Sequence, residues 1–128
     1  SALGGRSVAL YFAGAWCPMC RSFTPVLKRF IAANPSKGVI FVSSDFSQDE
    51  YDRHREAQGA DWLAVPFGSA PQAALKQKHR IWGGRESSTF GTGRRGGLPS
   101  LVVVDAGTGQ ELKFLDADIR GESALSEW

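Results

Sequence analysis

The sequence is poor in the residues that build disulfide frameworks and metal sites, and it has no long hydrophobic run. It contains two cysteines, two histidines and one methionine in 128 residues. Two cysteines are too few for the disulfide framework that stabilises small secreted domains. The longest apolar stretch, Val8 to Trp16, is about half the roughly 20 residues that a membrane-spanning helix needs. We therefore expect a cytoplasmic protein with no membrane partner.

An excess of charge of one sign is also lacking. The chain has 15 basic and 13 acidic residues, a net charge of +2, so it has no general attraction to nucleic acid or to membranes. With 42% hydrophobic residues, a chain of this length can bury one sizeable core. We expect a single domain over residues 1–128, a monomer, and no nucleic-acid partner.

The two cysteines, Cys17 and Cys20, are separated by two residues. A bridge between them closes so short a loop that it adds little stability. Zinc needs four ligands, and His54 and His79 lie much farther apart than the roughly three to five residues typical of zinc-binding histidines. Covalent haem needs histidine after the second cysteine, where Arg21 stands. We expect no metal and no cofactor, and a redox role for the pair.

Hydrophobic periodicity and capping signals predict alternating strands and helices. The predicted strands are Ser7–Phe12, Val39–Val42, Leu101–Val104 and Gln110–Leu115. The predicted helices run from Pro18 to Asn34, from Ser47 to Gly59, from Ser69 to Arg80 and, as a short last helix, from Glu122 to Trp128. This order indicates an α/β fold with a mixed sheet.

The cysteine pair falls where the first strand passes into the first helix. Unpaired N–H groups and the positive dipole end of that helix would stabilise a thiolate on Cys17, which makes Cys17 the predicted attacking thiol. Cys20, one turn later, is placed to attack the mixed disulfide that Cys17 forms, and is the predicted resolving thiol.

A glycine-rich segment interrupts the pattern. Six of the fifteen residues from Gly83 to Gly97 are glycine, which predicts an exposed, mobile loop insertion with almost nothing to bury. Between Lys76 and Arg95 there are six basic residues and a single acid, Glu86. A second hypothesis is therefore a non-catalytic binding module whose basic Gly/Arg-rich loop holds an anionic partner. The Gly91–Gly96 match to a dinucleotide fingerprint precedes no helix, so we give it little weight.

The residues around the cysteines resemble the active-site segment of tryparedoxins and nucleoredoxins. The segment is Tyr11–Pro25, with the sequence YFAGAWCPMCRSFTP; Phe41–Asp45 and Trp62–Phe67 resemble that family's second strand and the loop beside its active site. The resemblance extends from about Val8 to Asp105. It implies a thioredoxin fold, with a mixed central β-sheet flanked by helices. It also implies a thiol-disulfide oxidoreductase that reduces protein disulfides, such as those of peroxiredoxins, with electrons from a low-molecular-weight dithiol or a reductase.

The resemblance assigns residues as well. Cys17 is similar to the family's attacking cysteine and Cys20 to its resolving one. Leu98-Pro99 is similar to the cis-proline dipeptide that faces the cysteines and offers backbone groups to the client. The residues expected to contact substrate are Trp16, Pro18, Met19, Trp62, Leu98 and Pro99, although both tryptophans could instead be core aromatics.

Four further residues carry expectations of their own. Tyr11 stands where ordinary thioredoxins have a buried acid, so the proton of Cys20 must leave through water or another group. Met19 replaces the family's second proline, and its N–H is expected near the Cys17 sulfur. His54 and His79 fall in helices of mixed polarity and are expected on the solvated surface.

Overall fold

The computed structural model describes residues 7–59 and 61–128, in which five strands form one mixed sheet. The strands are β1 (Ser7–Ala13), β2 (Lys37–Ser43), β3 (Leu63–Ala64), β4 (Ser100–Val104) and β5 (Glu111–Leu115). Their order is β3-β2-β1-β4-β5; β1 to β3 are parallel, whereas β4 runs antiparallel to β1 and β5. The predicted α/β architecture with a mixed sheet is confirmed. Sequence analysis missed β3, because two residues are too few to show a period.

Helices connect these strands. They are α1 (Pro18–Ala33), α2 (Gln48–Gln58), α3 (Ala70–His79), α4 (Ser87–Phe90) and α5 (Ala117–Arg120), with 3-10 turns at Gly84–Glu86 and Gly121–Glu127. The last predicted helix is therefore helical, but of the 3-10 type. No helix in the two described stretches is long and apolar enough to cross a membrane.

Capping residues set the limits of α2 as the sequence predicted. The Ser47 hydroxyl accepts the Glu50 N–H at 3.2 Å, which satisfies one of the free amides of the first turn. The Glu50 carboxylate accepts the N–H of Phe46 at 2.7 Å rather than that of Ser47, so the capping box is displaced by one residue. Gly59, with φ of +88°, ends the helix in a conformation that favours glycine.

The central strand β1 separates two packed layers. Because side chains alternate along a strand, Tyr11 and Phe12 point to opposite faces of the sheet. On the Tyr11 face lies α1, with Phe23 at a ring distance of 6.0 Å from Tyr11. On the Phe12 face lies the end of α3, with the His79 ring 6.2 Å from Phe12. Both β1 side chains are completely buried, so the core extends above and below the strand that leads to the cysteines.

The glycine-rich segment 83–97 has no buried residue after Gly83, as expected, but it is anchored at both ends. At its start the Glu86 carboxylate accepts the Lys76 ammonium at 2.6 Å and the Gly83 N–H at 2.9 Å. At its end Arg95 donates two hydrogen bonds to Glu111, at 2.7 and 2.9 Å. The glycine content of the segment could not predict these contacts. Both depend on single carboxylates, those of Glu86 and Glu111, and no pattern in the sequence marks either residue as an ion-pair partner.

His79 takes part in the second anchor and is not on the solvated surface. Its side chain is buried, and Nδ1 lies 2.9 Å from Glu111 Oε1. The Arg95 guanidinium carbon lies 4.4 Å from the centre of the Phe114 ring. The expectation of a surface His79 is wrong, because α3 places it between the sheet and this ion pair.

Candidate active site at the Cys17–Cys20 pair

The cysteines lie at the carboxyl edge of the parallel strands, immediately after β1. A turn closed by the Cys17 N–H and the Gly14 carbonyl, at 3.1 Å, leads from the strand into α1. A Cβ on Gly14 would lie 2.5 Å from Trp16 Nε1, so only glycine allows the tryptophan ring to fold back over the turn. The turn therefore places Cys17 at the N-cap of α1 and Pro18 at its first position.

The Cys17 sulfur faces the end of the helix and the edge of the protein surface. It accepts the Cys20 N–H at 3.3 Å, in the position of an N-cap side chain, and lies 3.9 Å from the Leu98 carbonyl oxygen. Cys17 is 7% exposed and Cys20 is fully buried. Both are free thiols. An incoming disulfide can therefore reach only the first of the two sulfurs.

The Cys20 thiol is held in its protonated form. Burial raises the pKa of this thiol well above its ordinary value, and the hydrogen bond with Cys17 makes a smaller contribution in the same direction. A thiol is a weak nucleophile compared with a thiolate. Cys20 is therefore suited to act only after Cys17 has formed a mixed disulfide.

The donor to the Cys17 sulfur differs from the one expected. The amide that reaches the sulfur is that of Cys20, the third helical residue, and not that of Met19, the second. An N-cap side chain commonly accepts from the second or third helical amide, and here it selects the third. A proline at position 19 would leave this hydrogen bond intact.

The Leu98-Pro99 peptide bond is cis and lies beside Cys17, as predicted. Two contacts hold the backbone just before and after it. The Gly97 N–H donates to Asp118 Oδ2 at 3.2 Å, and the Ser100 hydroxyl donates to the Gly97 carbonyl at 2.6 Å.

Two grooves meet at the cysteine pair. One, of about 380 Å³, is mostly apolar and is lined by residues that include Pro18, Met19, Phe23, Val26 and Pro99. The other, of about 300 Å³, is lined by residues that include Trp16, Cys17, Met19, Arg94, Leu98 and Asp118. The structure thus brings together five of the six predicted substrate contacts, and the exposed side chain of Met19 borders both grooves.

The two tryptophans have different positions. Trp16 donates from Nε1 to the Ser44 carbonyl at 2.7 Å and stacks on Phe46 at a ring distance of 5.2 Å, beside Cys17. Trp62 is buried edge-on against Tyr11 at 5.9 Å and does not line either groove at the cysteines. Its placement supports the alternative that Trp62 is a core aromatic.

A buried polar chain behind the cysteines was not identified from the sequence. The Tyr11 hydroxyl lies 2.9 Å from Thr24 Oγ1, which also donates to the Cys20 carbonyl at 3.0 Å. Thr24 Oγ1 is 3.4 Å from His54 Nε2. Burial raises the pKa of Tyr11 far above its ordinary value, so Tyr11 stays neutral. In the sequence, only the i, i+4 spacing of Cys20 and Thr24 could have indicated these hydrogen bonds.

Asp45 connects the buried polar side chains Tyr11, Thr24 and His54 to the active-site turn. Its Oδ1 accepts the Ala15 N–H at 2.5 Å and its Oδ2 accepts the Ser43 hydroxyl at 2.6 Å. Burial acts to raise the pKa of Asp45, but its contacts with His54, Ser43 and the Ala15 amide outweigh burial and hold the pKa below its ordinary value. Asp45 is therefore an ionised carboxylate that fixes the residue two positions before Cys17.

His54 is buried, contrary to expectation. It is 4% exposed, packs against Phe41 at a ring distance of 4.6 Å, and places Nδ1 3.6 Å from Asp45 Oδ2. The mixed polarity of α2 suggested a solvated residue, but α2 turns this position toward the sheet. Within residues 7–59 and 61–128, no cluster of three or more His, Cys, Asp or Glu side chains could hold a metal ion.

The basic residues near the glycine-rich segment do not form one free cationic patch. Lys76 pairs with Glu86, and Arg95 pairs with Glu111. Both charges are thus committed to anchoring the segment. The charge available to a non-catalytic binding surface is smaller than the sequence indicated.

A β3-β2-β1-β4-β5 sheet with helices on both faces, a Cys-x-x-Cys pair opening α1 and a cis-proline beside it defines the thioredoxin fold. A family model described as thioredoxin-like matches residues 4–111. The chain belongs to the thioredoxin-like family, in the group of the nucleoredoxins and tryparedoxins. The resemblance inferred from the active-site segment is confirmed.

Relatives and solved structures agree with this placement. Probable nucleoredoxin 1 of Arabidopsis thaliana is 37% identical over 86% of this chain, and tryparedoxin of Trypanosoma brucei brucei is 33% identical over 84%. The chain spans only 17% of that nucleoredoxin and 66% of that tryparedoxin. A thioredoxin structure from Wuchereria bancrofti has a TM-score of 0.72 at 33% identity, covering 99% of this chain and 83% of that one. Tryparedoxin I from Leishmania major has a TM-score of 0.72 at 27% identity, covering 99% and 76%.

Proposed function

We propose that this chain is a protein-disulfide oxidoreductase of the tryparedoxin/nucleoredoxin type that works through the Cys17-Pro-Met-Cys20 motif. The observation that carries the proposal is the asymmetry of the two sulfurs. Cys17 lies at a helix N-terminus, at the junction of two grooves, whereas Cys20 is buried one turn behind it with a raised pKa. This arrangement gives one thiol to attack and one to resolve.

The client disulfide is reduced in two thiol-disulfide exchange steps. The Cys17 thiolate attacks one sulfur of a client disulfide, a mixed disulfide forms, and the other client sulfur leaves as a thiolate. Cys20 then attacks the Cys17 sulfur, the second client sulfur leaves, and the Cys17–Cys20 disulfide remains. The Cys20 proton goes to a departing client thiolate, and two electrons pass to the client.

The dithiol must then be restored by a reductant. A low-molecular-weight dithiol or a reductase would reverse the same two steps at the Cys17–Cys20 disulfide. The resemblance of the Tyr11–Pro25 segment to the active-site segment of tryparedoxins is the ground for a dithiol as electron donor and peroxiredoxin-type disulfides as clients. The apolar groove at Pro18, Met19 and Pro99 would receive the client segment beside the disulfide.

Trapping the mixed disulfide tests the proposal. Reduced Cys20→Ser protein, mixed with a disulfide-bonded protein, should form a covalent one-to-one adduct that mass spectrometry detects and dithiothreitol releases. Cys17→Ser should form none, because its remaining thiol is buried and protonated. Ser36→Ala in the Cys20→Ser background is a matched control, because Ser36 is exposed and lines neither groove at the cysteines, and it should trap the client as well as Cys20→Ser alone. Equal trapping by the two cysteine variants would contradict the assignment, and no trapping by either would contradict the function.

A further inference from the structure

A partly apolar surface with two arginines lies on one side of Cys17. We call it the loop-side surface, and it consists of Trp16, Met19, Phe46, Arg85 and Arg94. Met19 is 51% exposed and Phe46 is 48% exposed, which is unusual for two large apolar side chains so close to a reactive sulfur. The Phe46 ring stacks on Trp16 with an interplanar angle of 18°.

The arginines of this surface keep their charge available. Arg94 lines the groove that contains Cys17 and donates to the Trp82 carbonyl at 3.2 Å. The Arg85 guanidinium carbon lies 5.6 Å from the centre of the Phe46 ring. Within the described residues neither arginine has a carboxylate within 4.0 Å, in contrast to Lys76 and Arg95.

The same groove also holds one acid, Asp118. Its Oδ2 accepts the Gly97 N–H at 3.2 Å, which holds the backbone before Leu98, and its Oδ1 is buried without a hydrogen-bond partner. Its side chain is half-buried, whereas both arginines are exposed. The charge that an approaching molecule meets first on this side of Cys17 is therefore positive.

The anchors of the 83–97 segment determine where these arginines lie. Glu86 holds the first end through Lys76, and Glu111 holds the second through Arg95. Arg85 adjoins the first anchor and Arg94 the second. Two basic residues thus fix the segment. Of the two others, Arg94 is placed in the groove beside the reactive sulfur and Arg85 over the Phe46 ring.

We propose that the loop-side surface selects disulfide clients whose polypeptide carries a carboxylate side chain next to the disulfide cysteine. This inference rests on the proposed disulfide reductase function and names its substrate class. The client's apolar atoms would lie on Met19 and Phe46, and its carboxylate would meet Arg94 or Arg85. Charge complementarity and the closeness of Arg94 to Cys17 in one groove are the grounds for it.

The expected size of the preference for an acidic client follows from the exposure of the two arginines. An exposed ion pair of this kind changes a rate or affinity by about two- to fivefold. Because the Debye length is about 8 Å at physiological ionic strength and about 3 Å at 1 M salt, the preference should shrink at high salt.

Two synthetic peptide disulfides test the inference. They differ only in the residue after the cysteine, Asp in one and Asn in the other. The single-turnover rate with reduced protein is followed through the change in the protein's tryptophan fluorescence, to which Trp16 beside Cys17 contributes. We expect the Asp peptide to react about two- to fivefold faster at low salt. Arg94→Gln should bring the ratio of the two rates toward one, and Arg85→Gln should lower it less.

Arg53→Gln is the matched control, because it removes the same charge from an exposed position on α2. It should keep the wild-type ratio. Equal rates for the two peptides in the wild type, or an unchanged ratio in Arg94→Gln, would overturn the inference while leaving the reductase function intact. Failure of both peptides to react would overturn the function itself. Oxidised glutathione is the third substrate. An arginine-dependent gain confined to it would assign the surface to a small anionic disulfide and overturn the peptide assignment.

Discussion

Replacing Glu111 with glutamine tests whether the 83–97 segment is a fixed part of the site. Glu111 lies on β5 and accepts two hydrogen bonds from Arg95 and one contact from His79 Nδ1. Glutamine has nearly the same shape, so Glu111→Gln removes the charge with little change in packing. Arg95 would keep at most one good hydrogen bond, and the second end of the segment would be released.

The magnitude follows from the pKa of the carboxyl group. Hydrogen bonds from Arg95, with a smaller contribution from His79, lower the pKa of Glu111 from 4.5 to about 2. At about 1.4 kcal/mol per pKa unit this corresponds to at most about 3 kcal/mol. The Glu111 side chain is 31% exposed, and screening by solvent reduces the energy of such an interaction. We therefore expect Glu111→Gln to lower the free energy of unfolding by about 1 to 2 kcal/mol. The melting temperature should fall by about 5 °C.

The effect has a defined dependence on pH. A carboxyl group whose pKa is lowered by folding stabilises the protein above its ordinary pKa and loses that contribution as the pH falls through the folded value. The contribution of Glu111 is therefore complete at neutral pH and declines between about pH 4.5 and pH 2. The stability difference between wild type and variant should narrow over the same range.

Urea unfolding followed by tryptophan fluorescence, at about pH 7 and again at about pH 2.5, measures both quantities. Glu56→Gln, an exposed acid on α2, is the control and should change the free energy of unfolding by less than about 0.5 kcal/mol. Glu111→Gln should also lose the preference for Asp peptides, although Glu111 does not line the groove at Cys17. A variant as stable as wild type at pH 7, or a difference that does not change with pH, would refute the anchoring argument.

Three other substitutions address different parts of the molecule. Asp45→Asn removes the charge that holds the Ala15 amide and should lower the free energy of unfolding by about 1 to 2 kcal/mol and slow the reaction with a generic disulfide. Met19→Pro should shift the reduction potential by less than about 15 mV, because the hydrogen bond to the Cys17 sulfur comes from Cys20. Leu27→Ala empties a completely buried position in α1 and should cost about 2 to 5 kcal/mol in urea unfolding.

The Asp45 and Leu27 variants each have a matched control. Asp49→Asn removes an exposed acid from the first turn of α2, and Ile119→Ala truncates a side chain that is 79% exposed. Both should be close to neutral. An Asp45 variant no slower than the Asp49 variant would contradict the positioning role of Asp45. A shift of about 30 mV or more for Met19→Pro would show that the Met19 amide matters after all.

Local signals in the sequence were sufficient for the reactive pair and the main elements. Pro18 after Cys17 is a helix-start signal, and the buried run before it predicts a strand, so the strand-to-helix junction could be located from neighbours in the chain. Ser47 and Gly59 marked the ends of α2 for the same reason. Capping and periodicity depend on residues within about one or two turns, which a sequence displays directly.

The tertiary structure alone decided which distant side chains meet. His54 was expected on the surface because α2 is polar, yet the packing of α2 on the sheet brings it to Asp45 and Thr24. Arg94 belongs to a segment whose composition predicts no contacts, yet pairing of the neighbouring Arg95 with Glu111 carries it to the groove at Cys17. Such contacts join residues far apart along the chain. Their partners depend on how whole elements pack, and no local periodicity or capping signal contains that information.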